Sequence, residues 1–257
     1  MAAPVFRDGD AMTEFTIALA GRNIRVSSQF PKVRCYCEDY LTDAPADFHV
    51  SISMEDLLYE KERSAREDIR EGREVVDYPP FYLETLAVYR KIAVAMLDYD
   101  TILFHGSAIA VDGQGFLFTA KSGTGKSTHT RLWREYFGDR AVMVNDDKPL
   151  LKIEDDRVLV CGTPWNGKHL LGTNAMVPLK GICILTRAEE NSIRPVSVEQ
   201  ALPMLLQQSY RPGDPVSMAK LLKLLDKLSK KVGLYLLGCN MDPQAAVVAY
   251  EGMIGKD

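Results

Sequence analysis

The chain has 257 residues, of which 46% are hydrophobic and 26% charged, and its formal net charge is −4. This composition is typical of a globular protein with a sizeable core, and the weak negative charge offers no basic field for nucleic acid or for a membrane surface. No apolar run approaches the roughly 18 residues that a membrane span needs, so we expect a cytoplasmic protein.

The first 98 residues predict a small α+β subdomain. Residues 1–12 are expected to be a loose terminus, and the dense run of Glu, Arg and Lys over 60–74 is expected to be a solvated helix or an extended hairpin arm, with an exposed face favoured. The other predicted elements are a hairpin (13–19 and 23–26), a short helix (33–41), a strand (48–52) and a helix with one buried stripe (81–97).

Residues 99–257 alternate predicted strands and helices. Several strands are joined by hairpins, which argues against a purely parallel sheet and predicts an α/β fold with a mixed sheet. The predicted strands are 102–111, 116–118, 141–144, 150–153, 158–160, 181–186 and 235–237, and the predicted helices are 130–137, 197–206 with a Ser197–Gln200 capping box, 216–228, and one through Met253 with Asp242 as N-cap.

The run Lys121-Ser-Gly-Thr-Gly-Lys-Ser-Thr128 lies between a predicted strand and a predicted helix. Glycines at 123 and 125 let backbone N–H groups point inward as an anion nest, and a helix N-terminus adds partial positive charge. This is the pattern of a phosphate-binding P-loop, in which Lys126 reaches the β- and γ-phosphates and Ser127 meets Mg²⁺. Lys121, Ser122, Gly123, Thr124, Gly125 and Thr128 complete the predicted ATP site. Ala120 stands where the full pattern has glycine, which is tolerable if the backbone there does not need positive φ.

Two adjacent carboxylates, Asp146 and Asp147, follow a predicted buried strand. Such a pair is costly unless a cation or a proton shares it, so we expect a magnesium site and a base, with the division of roles left open. His105, on the strand before the P-loop strand, borders the same region. The alternatives are a solvated turn for the aspartates and a structural histidine.

Two further cations are candidates for neutralising charge on a transferred phosphoryl group. Lys168 ends the turn-rich segment Gly162-Thr-Pro-Trp-Asn-Gly-Lys168, and Arg187 follows the predicted strand 181–186. A structural loop and a surface arginine are the alternatives. The cysteines match no zinc pattern and are expected to be reduced thiols.

Together, His105-Gly-Ser, the Ser122 to Ser127 loop and Asp146-Asp147 resemble the core shared by the HPr serine kinase/phosphorylases and the ATP-dependent phosphoenolpyruvate carboxykinases. Gly162 to Lys168 is similar to the Gly-Thr-Pro-Trp loop of HPr-kinase-related proteins. The resemblance implies a P-loop on a mixed sheet, Ser127 on Mg²⁺, Asp147 on metal or as base, and His105 as a metal ligand. It also implies a homo-oligomer as one expectation, because the HPr kinases assemble into rings.

We therefore expect a magnesium- and ATP-dependent kinase with a hydroxyl acceptor, either a serine of a protein or peptide or a small-molecule alcohol. The alternatives are a non-catalytic ATP sensor, phosphorolysis in the reverse direction, and, less favoured, a carboxykinase-like enzyme, whose substrate-binding arginines have no counterpart here. The acceptor itself is not identifiable from residue types.

Overall fold

The computed structural model describes residues 12–70 and 72–255. Apart from Met12, the predicted loose terminus lies outside the described residues. The fold is mixed α/β and forms two compact units that divide between Ile92 and Ala93. The division after residue 98 stays a prediction about domain organisation.

The first unit is built on a three-stranded sheet. Strands β1 (Thr13–Leu19) and β2 (Arg22–Ser28) pair antiparallel, and β3 (Phe48–Ser51) pairs parallel with β2. The predicted hairpin and strand are confirmed. Helices α1 (Pro31–Tyr36) and α2 (Met54–Arg70) belong to this unit, while α3 (Pro80–Met96) runs across the division.

Helix α2 contains most of the charged run, and an exposed face was the wrong expectation for two of its carboxylates. Glu60 and Asp68 are each only 1% exposed. The Arg90 guanidinium donates from Nε to Glu60 Oε1 at 2.5 Å, and Arg73 donates from Nη2 to Asp68 Oδ1 at 2.7 Å. Charge is tolerated inside the unit because each carboxylate meets a guanidinium.

The second unit is organised around a curled, mixed sheet of nine strands. The strand order is β4-β8-β9-β10-β6-β5-β7, and β12 pairs with both β10 and β11. The strands are β4 (Thr101–Leu103), β5 (Ser107–Val111), β6 (Gln114–Thr119), β7 (Ala141–Asn145), β8 (Leu150–Ile153), β9 (Val158–Cys161), β10 (Met176–Arg187), β11 (Ser192–Pro195) and β12 (Gly233–Cys239).

The single strand predicted over 102–111 is wrong, because the chain breaks at Phe104–Gly106 to form β4 and β5. The two strands serve different neighbours: β4 pairs with β8, whereas β5 pairs with β6 and β7. Between them the His105 N–H donates to the Gln208 carbonyl at 2.7 Å. Glycine is suited to position 106, between the two strands, because a Cβ there would lie only 2.9 Å from the Phe118 carbonyl oxygen, which is too close.

Alternate residues of the central strands face two separate hydrophobic clusters, as the pleat requires. Ala108, Leu117 and Ile184 pack with helices α5 (Val198–Gln208) and α6 (Pro215–Ser229). Ile109, Phe116 and Cys183 pack with α4 (Lys126–Phe137) and α7 (Gln244–Ile254) on the other face. The sheet is therefore covered on both faces.

The helix caps follow the sequence at α5 but not at α7. Ser197 and Gln200 form the predicted capping box. At α7 the N-cap is Pro243, and Asp242 instead accepts the Gln244 N–H at 2.7 Å. Asp242 therefore supports the turn before the helix rather than capping it.

All five cysteines are free. Within the described ranges, no helix combines the length and apolarity needed to cross a bilayer.

Candidate functional site

Strand directions bring the candidate residues to one edge of the sheet. Strands β6, β10 and β12 run parallel, and β5 is antiparallel to both β6 and β7. The carboxyl ends of β6, β7, β10 and β12 therefore meet the amino end of β5. We call this the carboxyl edge, and ligands of open α/β sheets bind at such edges.

The glycine-rich loop, residues 120–125, connects β6 to α4 at this edge. Gly123 and Gly125 have φ of 74° and 121°, values that favour glycine, whereas Ala120 is not among the residues with positive φ. The missing first glycine is therefore no obstacle to the loop's backbone. The Thr124 hydroxyl donates to the Lys121 carbonyl at 2.8 Å and closes the turn.

Helix α4 begins at Lys126 without a side-chain cap, its N-cap being Gly125. The first N–H groups of a helix have no intrahelical partners, so this end is suited to an anion. Lys126 folds back towards the loop, with Nζ 3.4 Å from the Ala120 carbonyl oxygen, while the neighbouring Ser127 is exposed and Thr128 half-buried.

Arg187 reaches the loop from the end of β10. Its Nη2 donates to the Gly123 carbonyl at 2.7 Å. The parallel pairing of β10 with β6 explains this contact, because both strands deliver their last residues to the carboxyl edge. The structure thus places Arg187 beside the loop.

A buried hydroxyl network, missed by the sequence reasoning, connects Asp146 to α4. The Ser107 hydroxyl donates to Asp146 Oδ1 at 2.5 Å and lies 3.0 Å from the Thr130 hydroxyl. All three side chains are buried. The run His105-Gly-Ser was the available signal, but its serine was not singled out.

Asp147 lies next to Asp146 and is half-buried. Its Oδ1 is 3.3 Å from His105 Nε2, and its Oδ2 pairs with the Lys148 ammonium. Burial alone would raise the pKa of Asp147, but the hydrogen bond from His105 and the charge of Lys148 outweigh it and hold the pKa well below the ordinary range. Asp147 is therefore ionised at neutral pH.

The Gly162 to Lys168 segment packs against the aspartates. Asn145 donates from Nδ2 to the Thr163 hydroxyl at 3.0 Å, and the Thr163 hydroxyl donates to the Lys148 carbonyl at 2.9 Å. Gly167 has φ of 78°, and a Cβ there would lie 3.1 Å from the Asp147 Cβ. Lys168 comes next and is exposed.

Two groups of predicted residues are thus brought together directly, and one residue is not. His105 meets Asp147, and Arg187 meets the glycine-rich loop. Lys168 is adjacent in sequence to Gly167, but it is exposed and has no hydrogen-bond or ion-pair partner among the described residues. Among the described residues, no three His, Cys, Asp or Glu side chains cluster as a metal site.

Two adjoining cavities open beside the glycine-rich loop. The first, of about 520 Å³, is lined by the loop, Arg187 and the end of β10. The second, of about 380 Å³, lies between α5 and the strands β10, β11 and β12. Lys121, Ile184 and Met204 line both, so the two cavities adjoin.

Comparisons with known proteins give a structural likeness but no match to a family model or a curated sequence. Among solved structures, it is similar to the HPr(Ser) kinase/phosphatase from Coxiella burnetii, with a TM-score of 0.36 and 13% identity over 58% of this chain and 94% of that chain. Similarity this low does not define a shared function.

Proposed function

We propose that this protein is an ATP-dependent phosphotransferase that moves the γ-phosphoryl group of Mg·ATP to a hydroxyl group. One observation carries the proposal: an uncapped helix N-terminus behind a glycine-rich loop shares the carboxyl edge with an ionised, half-buried aspartate. The first feature suits phosphate binding and the second suits the orientation of an acceptor.

In this proposal residues 121–128 are the P-loop. Backbone N–H groups from the loop and the first turn of α4 bind the phosphates, and the Lys126 ammonium pairs with the β- and γ-phosphates. The geometry that supports this role is the positive φ of Gly123 and Gly125 together with the open helix end.

The oxygen donors at the edge fit magnesium. Ser127 and Asp146 would hold the ion, which would neutralise charge on the phosphates, while Asp147 would lie beside it. Mg²⁺ is commonly bound by one or two carboxylates plus substrate phosphates and water, so a cluster of three acidic or histidine ligands is not required. The buried Asp146, fixed by the Ser107 hydroxyl, is suited to a rigid ligand position.

Asp147 orients the acceptor hydroxyl and receives its proton. The acceptor oxygen forms a bond to the γ-phosphorus, the bond to the bridging oxygen of ADP breaks, and the hydroxyl proton passes to Asp147. Its low pKa makes it a weak base, so its main contribution is to orient the hydroxyl while the proton leaves late in a loose transition state. His105 holds the carboxylate in place through its 3.3 Å contact.

Cations on both sides of the loop neutralise the moving phosphoryl group. Lys126 and Arg187 are placed at the loop itself. Lys168, at the exposed end of the segment beside Asp147, completes the set when a nucleotide draws it inward. Such positioning and charge stabilisation account for most phosphoryl-transfer catalysis.

A non-catalytic ATP sensor is the second candidate, and one observation favours it. Both oxygens of Asp147 already have partners, one in His105 and one in Lys148. An aspartate held in this way is suited to fixing a loop as well as to orienting a substrate. A sensor would bind ATP without passing phosphate to any acceptor.

The proposal is tested by transfer from γ-labelled ATP with Mg²⁺ and a cell extract separated into small-molecule and macromolecular fractions. Label in one fraction, dependent on the protein, supports the phosphotransferase and classifies its acceptor. ATP binding without transfer to either fraction favours the sensor. The same assay run backwards, with labelled product and phosphate or ADP, decides the direction.

A further inference from the structure

The cavity between α5 and β10–β12 is the strongest unassigned feature of the second unit. It is lined by residues at the edge of the hydrophobic cluster that packs against α5. Val196, Met204 and Leu236 are partly buried hydrophobics of that cluster, and Ile184 is 8% exposed. An apolar recess with a few polar groups at its rim is the usual form of a small-molecule site.

We infer that this cavity, called the groove from here on, binds the nucleoside end of ATP. The inference rests on the proposed function. The base and ribose are covalently joined to the phosphates, so they must lie in a space continuous with the glycine-rich loop. The groove adjoins the cavity over that loop, since Lys121, Ile184 and Met204 line both.

The acceptor is a less suitable occupant. It must approach the γ-phosphate beside Asp147, and neither Asp147 nor His105 lines either cavity. The loop follows β6, which has different strands on its two sides. On one side are β5 and β7, next to the aspartates, and on the other are β10 and β12, which line the groove. The nucleoside therefore takes the side of the loop away from Asp147.

Two amides at the rim give the groove polar groups for a base edge. Gln200 and Gln207 both line it from α5. The Gln200 carbonyl oxygen is engaged by the capping box, where it accepts the Ser197 N–H at 3.2 Å. Gln207 is exposed, and its side chain has no hydrogen-bond partner in the part of the chain that the structure describes, so it is free to pair with a base.

The test compares ATP with inorganic tripolyphosphate, which lacks the nucleoside, by titration calorimetry in the presence of Mg²⁺. Met204→Trp fills the groove. Leu202→Trp is the matched control, because Leu202 is on the same helix, is 39% exposed and does not line the groove. We expect Met204→Trp to weaken ATP binding by about tenfold or more, a free-energy change of about 1.4 kcal/mol, and to weaken tripolyphosphate binding much less, because Met204 also lines the cavity over the loop.

Gln207→Ala is a second variant at an exposed position, where loss of folding is not expected, and it should weaken ATP binding but not tripolyphosphate binding. Equal ATP affinity of wild type, Met204→Trp and Gln207→Ala overturns the groove assignment and leaves the phosphotransferase standing. A folded wild-type protein that binds neither ligand overturns the proposed function as well.

Discussion

His129 is buried in α4, three residues after Lys126, and it makes the stability of the second unit depend on pH. Its side chain is 3% exposed, and its Nε2 accepts the Trp133 indole N–H at 3.0 Å. Its Nδ1 is buried with no partner among the described residues. Burial lowers the pKa of His129 from 6.5 to about 4.

The sign follows from proton binding in the two states. Between pH 6.5 and 4 the unfolded chain binds a proton at His129 and the folded chain does not, so the stabilisation from this group is full above pH 6.5 and is lost as the pH falls towards 4. The whole interval corresponds to about 3 kcal/mol, and the step from pH 7 to pH 5 to about 2 kcal/mol.

The assay is urea unfolding of the wild type and of His129→Phe, followed by tryptophan fluorescence at pH 7 and pH 5. Other titrating groups are shared, so the difference between the two proteins isolates His129. The wild type should lose about 2 kcal/mol more than the variant on acidification. His169→Phe, at an exposed position, is the control and should behave as wild type. An equal pH dependence of wild type and His129→Phe would refute the buried neutral imidazole.

Three further predictions concern single side chains. Ser107→Ala removes the hydroxyl between Asp146 and Thr130, and should cost about 1–3 kcal/mol of stability by urea unfolding and raise the Mg²⁺ concentration that phosphate transfer requires. Gly162→Ala places a Cβ 1.9 Å from the Thr173 carbonyl oxygen and should lower the melting temperature sharply, whereas Gly213→Ala, with open space around it, should not. Glu84→Gln should remove a pH-dependent loss of stability in the first unit: burial raises the pKa of Glu84, so the wild type loses stability as the pH rises through that pKa, and parallel pH profiles of the two proteins would contradict this.

Local sequence signals were sufficient for elements whose cause is local. The predicted Ser197–Gln200 capping box is confirmed and depends on residues three apart. The hairpin between β8 and β9 is equally local, since the Glu154 N–H donates to the Arg157 carbonyl. The glycine-rich loop is also local, since its shape follows from glycines at positions with positive φ. These features need no knowledge of distant partners.

Features that depend on distant partners were not predictable. The chain breaks between β4 and β5 because the two strands pair with different neighbours. Between them, the His105 N–H donates to the carbonyl of Gln208, the last residue of α5. The burial of Glu60 depends on Arg90, thirty positions away, so the charged run gave no sign of it. Periodicity within a segment carries no information about either contact.

The candidate site shows the same division. Sequence order and residue type were enough to select Asp147 and His105, and the structure places them 3.3 Å apart. The role of Ser107 depends on two strands, β5 and β7, and helix α4 meeting at one edge, which the sequence does not show. The salt bridge of Asp147 with Lys148 was available from adjacency but was not considered.

The central claim is that the glycine-rich loop binds ATP, whose γ-phosphoryl group is transferred, and that Asp147 orients the acceptor hydroxyl. The most direct measurement takes ATP affinity and phosphate transfer on the same preparations of wild type, Asp147→Asn and the exposed turn variant Asp156→Asn. The account predicts that Asp147→Asn keeps its ATP affinity and loses transfer by about 100-fold or more, while Asp156→Asn matches wild type in both. Equal transfer by wild type and Asp147→Asn would contradict the role of Asp147, and a wild-type protein that binds no ATP would contradict the claim as a whole.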